Sequence, residues 1–174
     1  MVNQYPEVLN DFRAYNENSN TLIGIASVEL PSETNITQEV SGVGVNGKIS
    51  IPVQGQYENM ETKISWKVPT EEAHAMSGGK PVALEFRGAI QMFDSSSNMI
   101  TMVPTRIVIR GRAGSFENGK YEQGTSIDAS NTITTTYLKI EYNGKRVREI
   151  DKYGSVDYSG GTDLLAPVRK ALGI

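Results

Sequence analysis

Cysteine is absent from the 174-residue sequence, and histidine occurs once, as His74. Without cysteine there is no disulfide framework, no thiolate ligand for zinc and no thiol nucleophile. A single imidazole also excludes a metal site built on a pair of histidines and argues against an acid–base triad. His74 lies in a short polar stretch that favours a position on a helix surface. We therefore expect no catalytic residue, no metal ligand and no cofactor.

Long apolar runs and an excess of charge of either sign are also missing. No stretch approaches the roughly 18 apolar residues of a membrane helix, and the N-terminal residues lack the basic start and apolar run of a secretion signal. The 17 basic and 20 acidic residues give a net charge of −3, so strong attraction to nucleic-acid phosphates is not expected. The sequence therefore predicts neither a membrane anchor nor tight nucleic-acid binding.

Glycine, by contrast, is abundant, with 17 residues, and three of them give the spacing G-x-G-x-x-G at Gly42, Gly44 and Gly47. In a dinucleotide-binding turn this spacing opens a helix. Here the alternating apolar residues at 49–53 predict a strand instead, which argues against nucleotide binding. We interpret residues 41–58 as a pliant loop.

The most regular pattern lies between residues 82 and 112. Apolar residues or glycine occupy every second position from 82 to 92, and Thr, Val or Ile occupies every second position from 101 to 109. The sequence DSSSN at 94–98 separates the two stretches. This predicts a long hairpin with arms of about 40 Å, at roughly 3.3 Å per residue. Pro104 lacks the N–H that a sheet ladder needs, so it predicts either a bulge or an unpaired edge in the returning arm.

A second hairpin is predicted around Asn143 and Gly144, because this pair suits a two-residue type I′ turn in which both residues take positive φ. The sequence PTEEAHAMSGG predicts one short helix with acidic residues at its start. Residues 162–172 predict another, capped by Thr162 or Asp163. Together these patterns predict a mainly β fold in one domain, with one or two short helices.

Several stretches, taken in order, resemble those of one family. The C-terminal third begins TYLKIEYNGKRVREID and continues to a helix start of the form G-x-D-x-L-A and a terminal LGI. Upstream lie ASVELP, a glycine-containing loop, KISIPVQGQYENMETKISW and LEFRGAI. This order resembles the major tail tube proteins of contractile-tailed phages and R-type bacteriocins. Pro167 in the final helix and the stretch QMFDSSSNMITMVP depart from the pattern.

The resemblance implies two packed antiparallel sheets with a flanking helix, in a single tail tube domain over residues 1–174. It implies hexameric rings that stack into a hollow tube inside a contractile sheath, through which DNA or an effector passes without sequence-specific binding. The implied partners are further copies of the chain, the tail sheath protein, the baseplate and tail terminator proteins, and the tape measure protein. The implied location is the virion tail, after assembly in the cytoplasm of the bacterial host. A ring-stacking loop is implied at 41–58, with its tip at Gly42, Val43, Gly44, Val45, Asn46 and Gly47.

The polar face of the long hairpin is expected to line the channel of such a tube. Opposite charges must then pair across strands, because unpaired arginines would retain phosphates. The residues assigned to this lumen face are Glu85, Arg87, Gln91, Arg106 and Arg110.

A small-ligand carrier is the alternative to a structural protein. The same strands would suit a closed β-barrel that holds a small apolar molecule in its mouth. The two hypotheses differ in oligomeric state, because a carrier stays monomeric whereas a tube protein forms rings or rods.

Overall fold

The computed structural model describes residues 4–17, 22–24 and 27–173. These residues form twelve β-strands and two short helices. The strands are β1 (Gln4–Asn16), β2 (Leu22–Ile23), β3 (Ser27–Glu29), β4 (Asn35–Gly42), β5 (Val45–Tyr57), β6 (Glu61–Trp66), β7 (Pro81–Asp94), β8 (Met99–Glu117), β9 (Ala129–Tyr142), β10 (Lys145–Asp151), β11 (Val156–Ser159) and β12 (Thr162–Asp163). The helices are α1 (Glu71–Ala75) and α2 (Ala166–Leu172).

The strands are arranged in two antiparallel sheets. The larger sheet has ten strands, with eight in the order β12-β11-β10-β9-β8-β7-β1-β2, while β6 joins it through β9, and β3 joins it through β6. The smaller sheet consists of β4 and β5. The predicted mainly β fold, with two antiparallel sheets and short helices, is confirmed.

Strand β9 is bonded along both of its edges. One edge pairs with β8 over most of its length. The other edge pairs with β6 from Ala129 to Thr134 and with β10 from Tyr137 to Tyr142. At the change of partner, the Thr135 N–H donates to the Met60 carbonyl at 2.7 Å. The strand therefore holds three others in fixed register.

The core is built from alternate residues of these strands. Its largest fully buried apolar side chains are Met60, Ile64, Trp66, Leu84, Ile109, Ile133, Leu138 and Ile150. The Trp66 indole N–H donates to the Asn131 side-chain oxygen at 2.7 Å, and the Asn131 amide donates to the Met76 carbonyl at 2.7 Å. Because Asn131 is fully buried, these bonds satisfy a polar group that would otherwise be costly to bury. They also attach the end of α1 to the core.

The predicted long hairpin is formed by β7 and β8, which pair without a register shift from Pro81–Arg112 to Asp94–Met99. Of the two alternatives for Pro104, the bulge is therefore wrong. The Pro104 carbonyl accepts the Asn143 N–H at 2.8 Å, just beyond the last β8–β9 pair. β8 pairs with β9 only from Thr105 onward, so the same edge of β8 from Met99 to Pro104 has no partner strand among the described residues.

The predicted strand at 49–53 is confirmed as part of β5, but the interpretation of residues 41–58 as a loop is wrong. Residues 41–57 lie in a hairpin of β4 and β5, with Val43 and Gly44 at its turn. Gly42, Gly44 and Gly47 have positive φ, which L-residues with a Cβ adopt only at a cost. The glycines therefore form a tight turn and the adjacent register shift, and no helix follows them.

The C-terminal helix begins later than predicted. Thr162 and Asp163 form β12 with β11, and α2 starts at Ala166, with Pro167 in its first turn. Asp163 is not the cap of the helix; its carboxylate accepts the Leu165 N–H at 3.1 Å, before the helix begins. Proline is favoured in a first turn because the N–H it lacks would have no partner there.

Replacing Gly144 with Val is expected to destabilise the folded chain. Asn143 and Gly144 have φ of 49° and 72°, and a β-branched residue resists positive φ. The expected loss is about 1–2 kcal/mol of unfolding free energy, measured by urea denaturation. Gly144→Asn is the matched control, because Asn tolerates this conformation and should lose less. Equal stability of the parent and the Val variant would contradict the turn geometry.

Candidate assembly surfaces

The β4–β5 hairpin has one apolar and one polar face. Val40 pairs with Ile49, and paired residues of antiparallel strands lie on the same face. The apolar face carries Ile36, Val40, Ile49, Ile51 and Val53, each 37–46% exposed. On the opposite face, Lys48 and Glu39 form an ion pair at 2.8 Å. Burial of the apolar face against another surface would therefore be favourable.

The predicted stacking residues lie at the tip of this hairpin. Val43 is fully exposed in the turn, whereas Val45 begins β5 and is half-buried. Asn46 and Gly47 lie at the register shift between the strands. The structure thus places the six residues together at one end of the hairpin. Their role in stacking stays a prediction.

Arg148 joins the base of the hairpin to the large sheet. Its guanidinium donates to Glu33 before β4 at 2.7 Å, to the Tyr57 hydroxyl at the end of β5 at 2.7 Å, and to Asp157 on β11. The Tyr57 hydroxyl donates to Asp157 at 2.9 Å. Burial acts to lower the pKa of Arg148, but Asp157 and Glu33 raise it above its ordinary value. The arginine therefore stays charged and bridges three segments.

A close contact between β5 and α2 adds to this attachment. Gly55 has a φ of 72°, and a Cβ there would lie 2.5 Å from Leu165 Cδ2. Nearby, the Gln54 side-chain amide donates to the Leu164 carbonyl at 3.3 Å. The base of the hairpin is thus held on two sides, while the rest projects.

The five residues of the predicted lumen face share one face of the β7–β8 hairpin. Arg87 is paired with Arg106, and each of the other three lies an even number of positions from one of these arginines along its strand. Glu85 is at the centre, with 6% of its side chain exposed. It accepts Arg106 at 2.6 Å and Arg87 at 2.5 Å. The two opposed arginines are therefore held together by one buried carboxylate.

The same face continues across the neighbouring strands. Arg110 makes a two-pronged contact with Glu17, at 2.7 and 2.5 Å. Arg106 also reaches Glu141 at 3.3 Å, and Lys139 contacts Glu141 at 2.7 Å. Glu17, Lys139 and Glu141 were missed at the sequence level, because their positions depend on how separate strands align. Glu17 and Glu141 offset part of the arginine charge, whereas Lys139 adds a positive charge that contacts Glu141.

Two of the arginines also make cation–π contacts with tyrosine rings. The guanidinium of Arg87 lies 4.5 Å from the Tyr15 ring centre, and that of Arg110 lies 4.7 Å from the Tyr137 ring centre. Such stacking favours the charged guanidinium. Burial, followed by the Glu149 carboxylate that accepts its hydroxyl, raises the pKa of Tyr137. The arginines are thus fixed in position.

Gln91 lies apart from this cluster, although on the same face. Its amide donates to Glu7 at 2.8 Å. It belongs to a three-stranded extension, formed by residues 4–11 of β1, 89–94 of β7 and 99–104 of β8, that runs past the end of β9. The structure therefore groups four of the five predicted residues and places the fifth in the extension.

The extension carries exposed apolar side chains on both faces. Val8 and Met102 flank Gln91 on one face, while Leu9 flanks Ile90 on the other. Val8, Leu9 and Met102 are each about half exposed, at 53%, 51% and 51%. Among the described residues, no strand pairs with β8 beyond Pro104, and β2 meets β1 only at Ala14 and Tyr15. Unpaired edges with apolar faces favour association.

Residues 6–173 match the family model described as phage tail tube protein FII. The chain belongs to this family. It is therefore a structural protein of a phage tail tube. The tail tube protein of Escherichia phage P2 is 28% identical over 158 residues, which cover 87% of this chain and 88% of that protein.

The fold of this tail tube protein also resembles a solved structure. That structure is the sheath/tube terminator of an extracellular contractile injection system in its extended state. The TM-score is 0.54 at 11% identity, over 79% of this chain and 97% of the other. Within the described residues, no helix is long and apolar enough to cross a membrane, and no cluster of His, Asp and Glu could hold a metal.

Replacing Gly55 with Ala is expected to loosen the base of the hairpin in this tail tube protein. The variant combines positive φ with a collision against Leu165. Gly124→Ala is the matched control, because Gly124 also has positive φ but faces open space. We expect a loss of about 2 kcal/mol for Gly55→Ala and about 1 kcal/mol for the control, by urea denaturation. Equal losses would show that the contact with Leu165 contributes nothing.

Replacing Glu85 with Gln is expected to destabilise the subunit in a pH-dependent way. Contacts from Arg106, and then Arg87, lower the pKa of Glu85 from 4.5 to about 2, against the effect of burial. A carboxyl whose pKa is lower in the folded state than in the unfolded state stabilises the fold at a pH above its unfolded-state pKa. This stabilisation is lost as the pH falls through its folded-state pKa. We expect a loss of about 1–3 kcal/mol at pH 7.

Urea denaturation of the parent and Glu85→Gln between pH 7 and pH 2 checks this expectation. The difference in stability should shrink below pH 4.5 and be small near pH 2. Glu29→Gln is the control, because Glu29 is exposed on β3 and its loss should have little effect. A difference that stays constant across this range would contradict the ion-paired role of Glu85.

Proposed function

We propose that this tail tube protein assembles into hexameric rings that stack into the inner tube of a contractile tail. The tube provides a channel for DNA or an effector. The hexamer and the contractile tail are what the sequence resemblance implies. The observation that carries the proposal is the three-stranded extension, which within the described ranges has two unpaired edges and exposed apolar side chains on both faces.

Ring closure uses the two edges of the extension. The β1 edge of one copy pairs with the β8 edge of the next, so each copy contributes two different surfaces. Such a heterologous contact closes a ring when the rotation between copies completes a circle. Closure also removes every open edge of the extension, which would otherwise recruit strands at random. The extended sheets of successive copies then form a continuous wall.

Stacking uses the β4–β5 hairpin. Its apolar face and the exposed Val43 project from the subunit, while its base is held by Arg148 and Leu165. A projecting hairpin with a fixed base can reach a neighbouring ring at a defined angle. Repetition around the ring multiplies a weak contact.

The charged face of the large sheet lines the channel. Arg87, Arg106 and Arg110 each contact a carboxylate. Arginines that are already paired gain less from phosphate, because their charge is balanced and fewer counterions are released. The wall therefore lets DNA pass without sequence-specific binding. No cofactor takes part in this function.

The partners follow from the place of the tube within a tail. They are other copies of the chain, the tail sheath protein around the tube, the baseplate and tail terminator proteins at its ends, and the tape measure protein in the lumen. Assembly takes place in the cytoplasm of the bacterial host. Membership of a tail tube family favours this role over a monomeric ligand carrier.

Replacing Met102 with Pro is expected to block ring closure while leaving the subunit folded. The backbone of Pro104 faces the unpaired edge, since its carbonyl bonds to Asn143 rather than to β7. Met102, two residues earlier, has the same orientation. Proline there removes an outward donor without breaking a β7–β8 bond.

Negative-stain microscopy and size-exclusion chromatography check this expectation. The parent should form rings or tubes, and Met102→Pro should remain monomeric with an unchanged circular dichroism spectrum. Met102→Leu keeps both the N–H and an apolar side chain, so it should assemble like the parent. Tubes from the proline variant would contradict pairing through this edge, and a parent that stays monomeric would contradict the proposed function.

A further inference from the structure

An open apolar groove lies beside β3, at the root of the extension. It has a volume of about 310 Å³ and is lined chiefly by Leu9, Phe12, Val28, Leu30, Phe86 and Ile107. Phe12, Val28 and Ile107 also pack against the core. Leu9 and Leu30 are 51% and 44% exposed at its rim. The groove is therefore a place where the apolar interior meets the surface.

The chain carries a second exposed apolar surface in the β4–β5 hairpin. Its row of branched aliphatic side chains, centred on Ile49 and Ile51, is exposed to a similar degree. Two-stranded hairpins pack face to face with other sheets at about 10 Å, with side chains interdigitating. Aliphatic rows against phenylalanine and leucine are chemically matched, because both surfaces are mainly apolar. The polar exceptions are Gln38 on the hairpin face and Ser27 and Thr105 in the groove.

A hairpin does not fill the groove of its own chain. The hairpin base is attached through Arg148 to β10 and β11, and through Leu165 to the start of α2. The groove lies against β1, β3, β7 and β8, and β9 separates β8 from β10 in the sheet. The exposed state of Ile51 and Leu9 in the single chain agrees with this separation.

The size of the two surfaces indicates what kind of contact they make. Five side chains exposed by 37–46% present on the order of 300 Å², the scale of a functional patch. Stable pairs bury about 800 Å² on each partner. A single contact of this size is too small to hold a dimer, but contacts repeated around a ring reinforce one another. The area therefore fits an assembled polymer of this chain.

We propose that the apolar face of the β4–β5 hairpin of one copy occupies the groove of a copy in the adjacent ring. This inference rests on the proposed function, since it requires stacked rings. It names the receptor of the hairpin as the surface formed by β1, β3, β7 and β8. The hairpin contributes Ile49 and Ile51, and the groove contributes Leu9 and Leu30 at its rim as principal contacts.

The absence of cysteine from the chain allows a direct test by cross-linking. In assembled tubes of the double variant Leu9→Cys/Ile51→Cys, mild oxidation should join each copy to one in the next ring. Denaturing gels without reductant should show a ladder that extends beyond the hexamer. The matched control is Leu9→Cys/Ser50→Cys, because Ser50 lies on the opposite face of the same hairpin. The control should lose the ladder.

The outcomes separate this inference from the proposed function. Tubes of the double variant without cross-links, or equal ladders from the control, overturn the inference alone. A ladder that stops at the hexamer places the contact within a ring and also overturns it. A parent protein that never forms rings or tubes overturns both.

Hydrogen exchange on the unmodified protein covers the case in which the cysteine variants fail to assemble. On passing from monomer to tube, the amides of residues 49–51 and 53 and those of residues 27–30 should gain protection together. Protection of the hairpin without protection of β3 would show that the hairpin contacts another surface, and the inference would then be wrong.

Discussion

The backbone pairing of β9 is the constraint on which the other surfaces depend. This strand is bonded to β8 on one edge and to β6 and then β10 on the other. Its register aligns Glu141 with Arg106, and its end at Tyr142 exposes the edge of β8 beyond Pro104. A shift of one residue would exchange the core and surface faces of the strand. The ion pairs and the open edge are thus consequences of one register.

The charged face illustrates how such a register determines electrostatics. Arg87 and Arg106 are directly opposite each other, which by itself is unfavourable. The buried Glu85 carboxylate between them makes the arrangement favourable. Because both arginine side chains stay partly exposed to solvent, the cost of desolvating the ion pairs is limited. The face therefore combines a high density of charge with little net charge.

The sequence was sufficient to predict the elements that rest on local patterns. Alternation predicted the β7–β8 hairpin, and Asn143-Gly144 predicted a turn with positive φ at both residues. The interpretation failed at residues 41–58, because three glycines suggested flexibility whereas the structure uses them for a turn and a register shift. It also failed at the start of α2, where the pairing of Thr162 with Ser159 outweighs capping.

The assembly surfaces were only partly predictable. Alternation alone grouped the five polar residues of the β7–β8 hairpin on one face. The partners of those residues, such as Glu17 with Arg110, come from strands far apart in sequence. The Arg148 contacts join Glu33, Tyr57 and Asp157, which no local spacing reveals. Long-range pairing, rather than composition, decides these features.

The pairing of β1 with β7 has a consequence for how the subunit is made. Tyr15 of β1 is paired with Glu85 of β7. During synthesis, β1 therefore has no partner until the ribosome has added about seventy more residues. Contacts so distant in sequence form slowly, and until then the apolar residues of β1 stay exposed. Folding of the nascent chain therefore competes with contacts between chains. A longer delay before β7 is available gives the exposed residues of β1 more time to form contacts between chains.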